Sequence, residues 1–275
     1  MEFFRRFKRH RLALVGGVIV LLLLIVAVFA PVLSPEDPYH MDLGNALAKP
    51  SLKNPMGTDH LGRDIMSRII YGTRVSFIVG IGAVGIAAVI GGICGLLAGY
   101  FGRAFDIIIM RALDVLWAFP RLLLALALIA VWGASISAVI LAIGLVGIPG
   151  YARIVRGSVL SVKEKDYIMA AKATGISNFK IIFTQILPNI IAPVIVVATF
   201  GTAGAIMIEA ILSYMGLGMQ PPASSWGLMI SEGQQYLRTY PFYSLFPGLA
   251  IMLHVFALNA FGDGLRDAWD PKLKT

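Results

Sequence analysis

Few side chains in this 275-residue chain could do chemistry, and they are widely scattered. Asp59, His60 and Asp64 fall together in Gly57-Thr58-Asp59-His60-Leu61-Gly62-Arg63-Asp64. One imidazole among carboxylates, without a second nitrogen or sulfur ligand, is a weak metal motif. The stretch continues to Arg68, and Asp59, Arg63, Asp64 and Arg68 fit an interlocked charge network better, with Gly57 and Gly62 allowing tight turns. Glu209 and His254 lie in apolar runs, where an ionisable group is costly and so a functional candidate. His254 has no acidic neighbour in its segment, which favours packing or a hydrogen bond over a proton relay. Cys94 is the only cysteine, which excludes an internal disulfide and any CxxC motif and leaves a small packing residue. No Gly-x-x-x-x-Gly-Lys-Ser/Thr phosphate loop occurs, so the chain cannot use ATP in that manner. No catalytic residue, metal ligand or directly bound cofactor is assigned.

The elements that must hold these groups are membrane helices. Hydrophobic residues make up 58% of the chain and charged residues 14%, with mean hydropathy +0.81, too much apolar surface for a soluble domain of this length. Six stretches approach the ~20 apolar residues of a crossing: 12–33, 75–99, 107–132, 136–151, 190–213 and 245–261. The predicted class is all-α and polytopic. The first run is too long for the apolar core of a cleaved signal peptide and is read as an anchor. Arg5, Arg6, Lys8, Arg9 and Arg11 precede it and place the amino terminus in the cytoplasm. Six crossings return the carboxyl terminus to that side.

The resulting organisation is a basic cytoplasmic segment 1–11, a first helix 12–33, an extracytoplasmic segment 34–74, a five-helix core 75–265 with a cytoplasmic loop 152–188, and a cytoplasmic tail 266–275. In the loop, Arg153, Arg156, Lys163, Lys165, Lys172 and Lys180 outnumber Glu164 and Asp166, as cytoplasmic placement requires. The net charge of +8 then reflects basic loops meeting anionic lipid, not nucleic acid. Gly91, Gly95 and Gly99 recur at the spacing that lets helix backbones approach closely in lipid. Pro120 and Pro149 predict kinks, and Arg111 and Asp114 are spaced to pair on one helix face. The loop holding Pro221, Pro222, Trp226 and Gln235 suits contact with a protein surface.

Within the cytoplasmic loop, a helix over Asp166–Gly175 puts Tyr167, Ala170, Ala171 and Thr174 on one small-residue face, with Lys165 and Lys172 opposite. Gly175 can end it with positive φ, and Ser177 is a suitable N-cap for a second helix through Phe179, Ile182 and Phe183 towards Pro188. Such a small face suits close docking by another protein.

Ala170, Ala171, Gly175, Leu187 and Pro188 resemble the cytoplasmic loop motif of ATP-binding-cassette importer permeases: Glu-Ala-Ala, three residues, Gly, a spacer, an aliphatic residue and Leu-Pro. Met169 replaces the motif's Glu and Gln185 its aliphatic residue. A Glu at 169 could have paired with Lys165 or Lys172 for only about 0.2–0.5 kcal/mol, so its loss is minor. Gly57-Thr58-Asp59, Leu61-Gly62-Arg63-Asp64 and Ser67-Arg68 resemble the signature of the dipeptide, oligopeptide and nickel group, specifically its second permease subunit. Further blocks around Met110–Leu124, Ile208–Gly218 and Asn259–Pro271 agree, so the resemblance runs over most of the chain.

The resemblance implies a type I importer permease with six transmembrane helices in a bacterial or archaeal inner or plasma membrane. It implies a second, similar permease chain, two ATPase subunits that carry ATP and Mg, and an extracytoplasmic substrate-binding protein. Di- or oligopeptides are the implied cargo, with nickel or another small solute as the alternative. The residues implied to couple ATPase movement to transport are Tyr167, Ala170, Ala171, Gly175, Leu187 and Pro188. Asp114, Pro120 and Glu209 are candidates for the pathway or a subunit contact. Glu209 has two readings: lining the outer mouth, or tying the fifth helix to the partner permease. A secondary transporter would need more midplane ion-coordinating groups or an internal repeat, and neither is evident.

Overall fold

A computed structural model describes residue 7 and residues 10–269. The basic cluster Arg5, Arg6, Lys8 and Arg9, and the tail beyond Trp269, lie outside the described residues. The chain runs through α1 (Arg11–Val28), α2 (Ile65–Phe101), α3 (Arg103–Trp117), α4 (Arg121–Trp132), α5 (Ile136–Lys163), α6 (Asp166–Ala173), α7 (Asn178–Ile181), α8 (Leu187–Tyr214), α9 (Trp226–Gly233) and α10 (Phe242–Trp269). No strand occurs among the described residues. Five helical rods are long and apolar enough to cross a membrane, and a sixth crossing results if α3 and α4 count as one span.

That sixth crossing differs from expectation. The sequence predicts one kinked helix over 107–132, whereas α3 and α4 meet at 85° across Ala118–Pro120. Pro120 lacks an N–H and disfavours helical backbone in Phe119, so the chain stops and restarts. Pro149, by contrast, sits buried inside an uninterrupted α5, where the predicted kink does not end the helix. The second crossing begins at Ile65, ten residues before the expected boundary, because Asp64 caps it: its Oδ2 accepts from the Ser67 N–H and Oγ, each at 2.7 Å.

The central pair is α2 against α5. A methyl group added at Gly91 would lie 2.8 Å from Tyr151 Cβ and 2.6 Å from the Ile148 carbonyl oxygen. At Gly95 or Gly99 it would lie 2.9 Å from Val155 Cβ or Val159 Cβ. The three glycines therefore let two backbones touch, as their spacing predicts. Val79, Ala83, Val84 and Ala87 of α2 pack with Val139, Ala142, Ile143 and Val146 of α5, and α4 and α8 complete that core through Ile129 and Leu212. Cys94 is half-buried beside Leu113, Ile148 and Ala152, a packing residue as expected.

Gly92 provides an internal contrast, since a methyl group there meets nothing within 4 Å. Gly95→Leu should push α2 from α5 and destabilise the fold by about 1–3 kcal/mol through overpacking, while Gly92→Leu should be near neutral. Thermal unfolding of the purified variants in mild detergent measures the difference; equal midpoints would contradict this packing.

Candidate functional site

The loop after α5 folds as a short helix, a turn and a second helix, fixed to the ends of α2 and α5. Asp166 stands in the first turn of α6 and Lys172 in its last, each opposing the helix dipole. Gly175 has φ 78°, and the N–H groups of Gly175 and Ile176 donate to the Lys172 and Ala171 carbonyls, which closes the helix. Ser177 then caps α7 by accepting from the Lys180 N–H at 3.4 Å.

The inner face of α6 differs from the predicted one. Ile168 and Ala171 are buried among Val155, Val159, Val162, Ile181, Ile182 and Ile186, so Ala171 is packed inward and not presented for docking. The larger apolar Ile168 decides which face turns in. Tyr167, Met169, Ala170, Thr174 and Gly175 remain exposed, Leu187 is half-buried and Pro188 exposed. Tyr100 at the end of α2 anchors the loop: its hydroxyl donates to Asn178 Oδ1 at 2.7 Å, and Lys172 Nζ lies 5.2 Å from its ring centroid.

The second helix does not stop at Pro188. Residues Ile182–Ile186 form a π-helical turn that joins α7 to α8, giving one rod from Asn178 to Tyr214. Pro188 is the second residue of α8, directly after the π turn. The side chain of Asn189 donates to the Gln185 carbonyl at 2.6 Å and to Tyr167 Oη at 3.3 Å, tying α6 to the rod.

At the opposite end of the chain's long helices, the segment before α2 is locked to α9 and α10. Arg63 Nε lies 2.6 Å and Arg68 Nη1 2.5 Å from Asp59 Oδ2, and both guanidiniums reach Glu232 Oε2, at 3.2 and 2.9 Å. Tyr243 Oη donates to the same Glu232 oxygen at 2.5 Å. Asp64, expected in this network, instead caps α2 and accepts from Asn54 Nδ2 at 3.0 Å. Glu232 and Tyr243 were not legible in the sequence, lying more than 160 positions from Arg68. Asp59, His60 and Glu232 do converge closely enough to suggest a cation site. The two guanidiniums already neutralise both carboxylates, which favours the network over metal.

Glu209 is buried and accepts from Ser213 Oγ at 2.7 Å and Ser225 Oγ at 2.8 Å. It ties α8 to the start of α9 within this chain. Trp226, expected at an exposed surface, is buried and donates to the Ile69 carbonyl at 3.0 Å. His254 packs between Phe77 and Trp226, with ring centroids 4.5 and 5.7 Å away, which suits the packing role. Asp114 does not pair with Arg111; it accepts from Arg153 of α5 at 2.7 Å, while Arg156 binds Asp106 through both its Nε and Nη2.

Five rods long and apolar enough to cross a membrane, six with the broken pair α3–α4, and a basic loop helix exposed on one face are the features to set beside known proteins. Residues 91–275 match the family described as binding-protein-dependent transport system inner membrane component, and residues 1–50 match the N-terminal transmembrane domain of oligopeptide transport permease C. The chain belongs to this family of ABC importer permeases and is a multi-pass inner-membrane protein. It is 45% identical over 274 residues to the dipeptide transport system permease protein DppC of Alkalihalophilus pseudofirmus, covering 100% of this chain and 90% of that one. It is 44% identical over 274 residues to the glutathione transport system permease protein GsiD of Escherichia coli O157:H7, covering 99% and 90%. The fold also matches the MetNI methionine ABC transporter in an inward-facing form, at TM-score 0.61 and 17% identity over 75% of this chain and 98% of that one.

The charge lock has a defined pH response. Burial alone would raise the Glu232 carboxyl, but the opposing charge of Arg68, the Tyr243 hydrogen bond and Arg63 bring it below its usual range. A depressed carboxylate stabilises the fold fully above its unfolded value of about 4.3 and loses that contribution as pH falls through the lower folded value. The unfolding midpoint of the wild-type chain should therefore drop more steeply below about pH 4.3 than that of Glu232→Gln. Arg68→Met, which leaves buried carboxylates short of a partner, should cost about 3–5 kcal/mol at neutral pH. Denaturation followed across pH checks both; parallel profiles would remove Glu232 from the lock.

Proposed function

We propose that this chain forms one half of the transmembrane pathway of an importer for dipeptides or short oligopeptides, with a second, similar permease chain forming the other half. Two ATPase subunits bind ATP and Mg, one of them docking on the loop between α5 and α8, and a substrate-binding protein delivers cargo to the opposite side. Both termini and that loop are cytoplasmic, in keeping with the excess of Arg and Lys between residues 152 and 185. The peptide cargo follows from the relatives, which are named for dipeptide and glutathione transport.

The observation that carries this reading is the construction of α6. One face, Ile168 and Ala171, is fixed in an apolar cluster that includes the ends of α2, α5 and α8, while Tyr167, Met169 and Ala170 are exposed to a partner. Force applied to the free face reaches three membrane helices directly. Tyr167, Ala170, Gly175, Leu187 and Pro188 form the docking and turning elements, and Ala171 holds the helix down. Asp114 and Pro120 shape the pathway side, Asp114 by fixing α3 to α5 and Pro120 by turning the chain into α4.

Purification of the tagged chain in mild detergent should recover two ATPases and a second permease in stoichiometric amounts. Gly175→Val forces a β-branched residue into positive φ, a strain of about 1–3 kcal/mol confined to the loop. The assembled variant should hydrolyse ATP yet import dipeptide at least tenfold more slowly than wild type in proteoliposomes. Recovery of the chain without any ATPase, or normal import by the variant, would overturn the coupling assignment.

A further inference from the structure

Helices α2, α5 and α8 line a half-open cavity of about 310 Å³, with Ala83 and Ala87 of α2, Gly147 and Tyr151 of α5, and Gly201 and Gly204 of α8 in its wall, among others. Its one charged lining residue is Arg121, the first residue of α4 beyond the break at Pro120. Gly147 to Tyr151 stand 11–15 residues from the start of α5, or roughly 17–22 Å at 1.5 Å per residue. Val197 to Ile208, the α8 residues of the wall, lie about 9–25 Å from Tyr214 by the same measure. Both depths fall inside a hydrocarbon core about 30 Å thick.

Arg121 is exposed on the surface of this single chain; at that depth an arginine against lipid would be costly, and such residues face a bundle interior or a water-filled path. Arg121 makes no hydrogen bond or ion pair among the described residues, although Arg153 and Arg156 on the neighbouring helix are each matched to an aspartate. The wall around it is otherwise apolar or small, and a methyl group at Gly204 would meet nothing within 4 Å, so the cavity has room for a ligand's main chain. A guanidinium offers a planar fork of donors suited to a carboxylate.

We infer that this cavity is a transit site for peptide within the pathway and that Arg121 holds the peptide's α-carboxylate there. This rests on the peptide reading above and adds the group that recognises the cargo within the membrane. The sharp turn at Ala118–Pro120 is what brings the start of α4, and with it Arg121, to the cavity wall. A path that must pass peptides of differing side chains can grip what all of them share.

The test uses the whole importer with its binding protein in proteoliposomes and dialanine as the probe, comparing wild type, Arg121→Gln and Arg121→Lys. Import by Arg121→Gln should fall about tenfold or more, the scale of one lost charge-assisted hydrogen bond, while the complex still assembles and its ATPase is still stimulated by loaded binding protein. Arg121→Lys, which keeps the charge, should recover much of the rate. Unchanged import by Arg121→Gln overturns the assignment, as does loss of the second permease on purification, which would make Arg121 an ion-pair partner in the permease interface. Absence of dialanine import by wild type refutes the peptide reading itself and the carboxylate site with it.

Discussion

The structure depends on the backbone contact between α2 and α5. In lipid no hydrophobic force presses apolar helices together, so close packing must supply the attraction. Gly91, Gly95 and Gly99 provide it along three successive turns, and the same pair then carries everything else. Its one end holds Tyr100, Val155, Val159 and Val162, on which the loop helix α6 rests. Its centre supplies Ala83, Ala87, Gly147 and Tyr151 to the cavity wall. At the other end of α2, Arg68 enters the charge lock.

The charge lock and the Glu209 tie have the same physical logic at different places. Each puts carboxylates in a nearly dry environment and gives them partners, Asp59 and Glu232 two guanidiniums and a phenol, Glu209 two serine hydroxyls on one oxygen. An unmatched group at either place would cost several kcal/mol. Such matching fixes which helices meet and leaves little freedom at that end. Freedom is left at the other end, where α6 is held on one face only.

The helical class, the crossings and the loop motif were legible because they are local or periodic: apolar runs of fixed length, glycines every four residues, Ser177 before a helix and Gly175 after one. Partners brought together by tertiary folding were not. Arg68 and Glu232 are 164 positions apart, and no spacing rule links them. Asp114 had a local partner in Arg111 yet pairs with Arg153, which the approach of α3 to α5 brings within 2.7 Å. Asp64 looked like a network member but its position immediately before a helix made capping the better use. On α6 the spacing of small residues points to one face, but Ile168, a large aliphatic side chain, turns inward with Ala171 and decides the packing. Arg121 drew no notice because a cation beside a proline in an apolar run has meaning only once the turn is seen.

The π-helical turn at Ile182–Ile186 sets the direction in which the docking loop points. A π turn carries about one residue more than an α turn, and each residue in an α-helix advances the chain by about 100° around its axis. Everything on the amino-terminal side of that turn, including Asn178, Phe179 and the exposed side of α6, is therefore swung by about that angle relative to where a regular helix would have left it. The azimuth of this loop around the bundle is thus fixed by a single surplus residue at the foot of a membrane helix, remote from the surface it aims.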